Sequence, residues 1–140
     1  MKMPACRLLA SAFTCAVLAL PLAAVAADAI VRRSLGDFPI ASSVAVPGTA
    51  KIVFVSGTLA DVAKPEAPAG SSERLGDTET QSASVLGKIA KELAASGLTM
   101  ADVVKMNVFM VGDPAKGGSM DFGGLMKAYS RHFGDASQGN

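Results

Sequence analysis

The sequence predicts an α+β domain behind a cleavable export leader. Three observations carry that reading: a long apolar run confined to the N-terminus, β-branched runs bounded by Pro and Gly, and two later segments with helical spacing of apolar residues. In the order strand, strand, helix, strand, helix, these elements predict an α+β or α/β layer in which the helices cover one sheet.

The leader comes first. Lys2 and Arg7 precede an almost unbroken apolar run from Leu8 to Ala26, which contains Pro21 and closes on Ala24-Val25-Ala26. A positive start, an apolar middle and a small-residue site make residues 1–26 a secretory signal peptide and residues 27–140 the mature domain, periplasmic or secreted. A retained membrane anchor is the rival reading, because the run is about as long as the shortest spanning helices. Pro21 and the Ala-x-Ala site favour cleavage, after which the chain would have no membrane partner. Removing the leader leaves eleven basic residues against twelve acidic ones, and it takes away both cysteines, Cys6 and Cys15. The apolar fraction then falls to about 44%, close to the usual soluble value. With no basic block in the chain, nucleic acid is not an expected partner.

Within the mature domain, residues 28–40 show no clear period, and Arg32-Arg33 reads as a solvated charge pair. Val44-Ala45-Val46 and Lys51 to Ser56 predict two strands joined by Pro47-Gly48, the second buried on both faces. Residues 61–76 hold Pro65, Pro68, Gly70, Ser71 and Ser72 and predict a long exposed loop. Thr78-Glu79-Thr80-Gln81 fits a capping box, and Leu86, Ile89, Ala90 and Leu93 make one apolar helix face that ends at Gly97. Val103 to Val111 alternates as a strand. After a Gly-rich loop, Ser119 could cap a second helix carrying Phe122, Leu125, Met126, Tyr129 and Phe133, its first turn weakened by Gly123 and Gly124.

Little in the mature chain can carry metal or nucleophilic chemistry. One His and no Cys leave no zinc-type ligand set, so no metal is expected. Asp113 and Asp121 could offer an oxygen-only site but read more simply as caps. His132 reads as a surface or helix-end histidine, and the glycines near Lys116 lack phosphate-loop spacing. Ser56-Gly57, a small hydroxyl and a glycine at a strand end opening into a long loop, is the more specific feature.

Taken together, Ile52-Val53-Phe54-Val55-Ser56-Gly57, Gly76 to Gln81, Gly97 to Lys105, Asp121-Phe122 and Tyr129 to Phe133 resemble the Rid (YjgF-like) family of enamine/imine deaminases. Their order and spacing match from Phe38 onward, and the leader and long loop look like the periplasmic branch. The resemblance implies a chorismate-mutase-like α+β domain with a mixed sheet covered by two helices on one face, a homotrimer with clefts between subunits, and cofactor-free hydrolysis of 2-aminoacrylate-type intermediates to 2-oxo acids and ammonia.

It also implies substrate-binding positions. Ser56 and Gly57 match the family's serine-glycine at the cleft, Ile40 stands where active members carry tyrosine, and Met126 where they carry asparagine. The family's carboxylate-gripping arginine, in a Pro-x-Arg segment, and its carboxylate on the last strand would follow Asn140. The expectation is therefore a domain lacking its final strands, with no catalytic residue assigned. Ile40 and Met126 would make the cleft more apolar than a deaminase uses, which leaves open a non-catalytic small-ligand or interaction module on the same fold.

Overall fold

The computed structural model describes residues 29–134; the leader and its cleavage site lie outside the described residues. Its elements are strands β1 (Val31–Leu35) and β2 (Phe38–Ala45), helices α1 (Thr78–Ala95) and α2 (Phe122–Phe133), and short 3-10 turns at Ser72–Leu75, Met100–Asp102 and Pro114–Lys116.

β1 and β2 form an antiparallel hairpin, with Val31 opposite Ala45 and Leu35 opposite Phe38. Gly36, at φ 58°, takes the first position of its two-residue turn, a conformation a side chain disfavours. The register shifts on either side of Ser34, and the Ser42 hydroxyl donates to the Arg33 carbonyl at 3.1 Å across this irregularity. This stretch showed no sequence period because the bulge breaks the alternation of inward and outward residues.

The predicted partners of that sheet do not join it. Residues 51–56 and 103–111 are not paired in a ladder, and the described sheet has two strands only. The expectation of a mixed sheet is corrected to a two-stranded antiparallel one. The reason is physical: β-branched alternation sets a preference for extended backbone, but a strand exists only where a neighbouring backbone receives its hydrogen bonds.

The helices follow the sequence closely, with their starts displaced. Asp77, not Thr78, caps α1: its carboxylate accepts from the Thr80 amide at 2.8 Å, while Gln81 Nε2 donates back to the Gly76 carbonyl at 2.8 Å. Gly97, at φ 73°, follows the last turn as expected. Asp121, not Ser119, caps α2 through the Gly124 amide at 3.1 Å. An aspartate next to the first helical residue offers a charged acceptor to the free amides, and at both sites it outcompetes the hydroxyl.

α1 and α2 pack on each other, and the small buried core lies between them. Leu86, Ala128 and Phe133 form its centre, with Ala83, Met100, Val103, Met106 and Tyr129 against it. Gly124 is a point of close approach: a Cβ there would stand 3.1 Å from the Thr78 Cβ and 2.6 Å from Asp121 Oδ2. The glycine that weakens the helix by propensity is thus the one that lets the helices approach.

Residues 61–76 are more ordered than their composition suggests. Arg74 donates to the Pro65 and Ala67 carbonyls at 2.6 and 2.8 Å, and its own carbonyl accepts from the Ala63 and Lys64 amides. Lys88 then ties the loop to α1, meeting Asp61 at 2.5 Å and the Leu59 carbonyl at 2.9 Å. No helix among the described residues is long and apolar enough to cross a membrane.

Candidate functional site

α2 presents two faces. Gly124 and Ala128 are buried, the latter in the helix–helix core, whereas Leu125, Met126 and Tyr129 line a groove of about 330 Å³ bounded by β2 and residues 103–108. Ile40 and Val44 of β2 line it too. Ile40 and Met126, 86 positions apart in sequence, therefore share one apolar surface.

The charged residues lining this groove are Arg32 and Lys105, and no carboxylate lines it. Arg32 reaches it from β1 and is held by the chain end of the 100–102 turn: its Nη2 donates to the Ala101 carbonyl at 2.5 Å and lies 3.5 Å from that of Val103. The turn is itself closed by a capping box. Asp102 accepts from both the amide and the hydroxyl of Thr99, at 2.8 and 2.9 Å. These bonds, with help from the nearby Arg32 charge, hold the Asp102 carboxyl below its ordinary range. Neither Arg32 nor Lys105 makes an ion pair with a carboxylate among the described residues. Tyr129 adds a phenol whose ring lies 4.6 Å from that of Phe133; burial raises its pKa, so it stays protonated at neutral pH.

Ser56 is elsewhere. It lines a second recess of about 280 Å³ with Val53, Phe54, Val55, Thr58, Glu92 of α1 and Ser96, which follows α1. Its carbonyl accepts from the Thr58 hydroxyl at 3.3 Å. Gly57 lines neither recess. Within one chain, then, the four expected substrate-binding residues divide into a pair that meets and a pair that lies apart.

The remaining candidates take structural roles. Asp113 accepts from the Ala115 amide at 2.8 Å, Asp121 caps α2, and among the described residues no group of three or more acidic, His or Cys side chains could hold a metal ion. His132 sits in the last turn of α2 with its ring 6.3 Å from Phe133, and lines neither recess. Arg32 is the groove residue that sequence reasoning missed. Its signal was faint: Arg32 is less exposed than the rest of β1, the inward position of a strand whose bulge hides the alternation.

Fold and groove together define a small α+β domain with an apolar, cation-lined groove. The chain matches the sequence model of the family described as Endoribonuclease L-PSP over residues 38–138, and it belongs to that family, the Rid (YjgF-like) proteins. No curated protein matches it closely enough to stand as a relative.

Proposed function

We propose that the groove binds a small imino or 2-oxo acid and that the protein acts as an imine/enamine deaminase, releasing ammonia from 2-aminoacrylate-type intermediates. The observation that carries this reading is the single groove in which Ile40 and Met126 supply apolar contact while Arg32 and Lys105 supply the charge. A short carboxylate with a small apolar side chain matches that division. Its anion is drawn to a guanidinium suited to paired hydrogen bonds, and its tail displaces water from Ile40 and Met126.

In the reaction, the enamine tautomerises to the imine, water adds to the imine carbon, and the carbinolamine so formed expels ammonia to leave the 2-oxo acid. Atoms balance with water as the only co-reactant. The residues of this chain would orient the substrate and Tyr129 would offer its proton; no lining carboxylate is available as a base. The decisive experiment measures ammonia release from a dehydratase-generated 2-aminoacrylate with and without the protein. A rate equal to spontaneous hydrolysis refutes the deaminase.

The lack of a carboxylate in the groove favours one alternative, a non-catalytic small-ligand module in which stabilisation by a 2-oxo acid occurs without turnover. RNA cleavage, which the family's description also carries, finds less support: the one imidazole, His132, stands away from the groove. Export completes the reading. The leader directs the domain to the periplasm or medium, and fractionation of cells with a C-terminal epitope tag tests it.

A further inference from the structure

Arg32 belongs to β1, yet what holds its guanidinium belongs to the 100–102 turn and the residue after it. Nη2 donates to the Ala101 carbonyl at 2.5 Å and lies 3.5 Å from that of Val103, whereas Nε and Nη1 donate to no group among the described residues. Asp102 is the residue between those two carbonyls. Its carboxylate closes the turn on the Thr99 amide and hydroxyl, at 2.8 and 2.9 Å, and its own amide donates to the Thr99 carbonyl at 3.1 Å. Met100 and Val103, on either side, pack against the core of Leu86, Ala128 and Phe133. Among the described residues the Asp102 carboxylate makes no ion pair with Arg32, so the arginine is held through the turn while its charge stays unneutralised.

We propose, resting on the assignment of the groove to a 2-oxo or imino acid, that Asp102 is a positioning residue for it. Acting through the Ala101 and Val103 carbonyls, Asp102 fixes Arg32 so that the groove selects a carboxylate over the corresponding neutral amide. The physical basis is conformational entropy. A free arginine gives up rotamers when it grips an anion, and that loss is subtracted from binding. The turn moves the loss into folding, before any ligand arrives. A carboxylate placed directly on the guanidinium would hold it as well, but it would compete with the ligand for the charge. Two neutral carbonyls position Arg32 without supplying a formal counter-charge. An amide ligand draws little on the guanidinium charge, so loosening Arg32 weakens the acid selectively.

Calorimetric titration of the full-length chain with 2-oxobutanoate and with its amide tests this. Asp102→Ala should weaken the acid by about tenfold and leave the amide within about twofold. Asp102→Asn, whose side-chain oxygen still accepts from Thr99, should recover most of the loss, and Thr99→Val, which removes one of the two bonds, should fall between. Nitrogen relaxation of the Arg32 side chain supplies a readout without ligand: restrained in the wild type, mobile in Asp102→Ala. Thr99→Val decides the matter by the same measurements if Asp102→Ala misfolds. Equal weakening of acid and amide, or an Arg32 as restrained in the variant as in the wild type, overturns the proposal. A wild type that binds both ligands equally refutes the reading of the groove, and the selectivity with it, whatever the mobility of Arg32.

Discussion

Glu79, in the first turn of α1, forms an ion pair with Arg131, in the last turn of α2, and also meets Lys127 one helical turn away at 3.5 Å. The pair joins the amide end of one helix to the carbonyl end of the other, so each side chain also sits at the helix pole that favours its charge. Both arginine and lysine are more than half exposed, and Glu79 is the less exposed partner, at 28%. The pair orients the helices more than it stabilises them.

Removing it should therefore cost little. A double-mutant cycle of Glu79→Gln and Arg131→Met, followed by urea unfolding, should give a coupling of about 0.5 kcal/mol, within the range for exposed pairs. A coupling above about 2 kcal/mol would place the pair in a dry environment that its exposure contradicts.

The N-cap of α1 offers a sharper contrast. Asp77→Ala should destabilise the fold by about 1 kcal/mol, since the Thr80 amide loses its acceptor. Thr78→Ala should cost less, because Thr78 already lies inside the helix. Thermal melts of the two variants rank the caps directly.

Acid should loosen the domain through three aspartates. Hydrogen bonds from Lys88, Thr80 and Thr99 hold Asp61, Asp77 and Asp102, respectively, below their ordinary values. The fold thus favours their ionised forms. The stability they contribute is fully present above the ordinary carboxylate pKa of about 3.9 and is lost as pH falls through the depressed values. At the other extreme, Tyr129 favours its protonated form, so its contribution disappears as pH rises past about 10. A pH series of melting temperatures should show a plateau between these limits.

Helix approach depends on Gly124. Gly124→Leu should destabilise by about 1–3 kcal/mol or more, as overpacking against Thr78 forces the helices apart. Gly97→Ala should cost about 1 kcal/mol for a different reason, its left-handed backbone. Combining the two should give nearly additive losses in denaturant midpoints, because Gly124 packs against the start of α1 and Gly97 follows its far end.

For the groove, the informative comparison is between ligands. If Arg32 receives a carboxylate, 2-oxobutanoate should raise the melting temperature more than its amide does, and Arg32→Met should abolish that preference. Loss of the Ala101 tether lowers the stability of the unliganded variant but does not by itself erase discrimination between the two ligands. Met126→Asp should weaken both ligands together.

The sequence by itself determined the helices, the long loop and the family. Leu86 and Leu93 lie on one face by helical spacing, Gly97 follows the end of α1, and local rules need no partner to act. Caps were harder, because Asp77 and Thr78, or Asp121 and Ser119, compete for the same amides and the winner depends on backbone geometry. Extended runs were hardest: residues 51–56 carry every local mark of a strand, yet a ladder requires a neighbour that no local pattern specifies. Only the tertiary structure decided that Ile40 and Met126 meet while Ser56 stands apart, and that Arg32 joins the groove. Such juxtapositions arise from the packing of β2, α2 and the 100–102 turn against one another, contacts distant in sequence that no local period records.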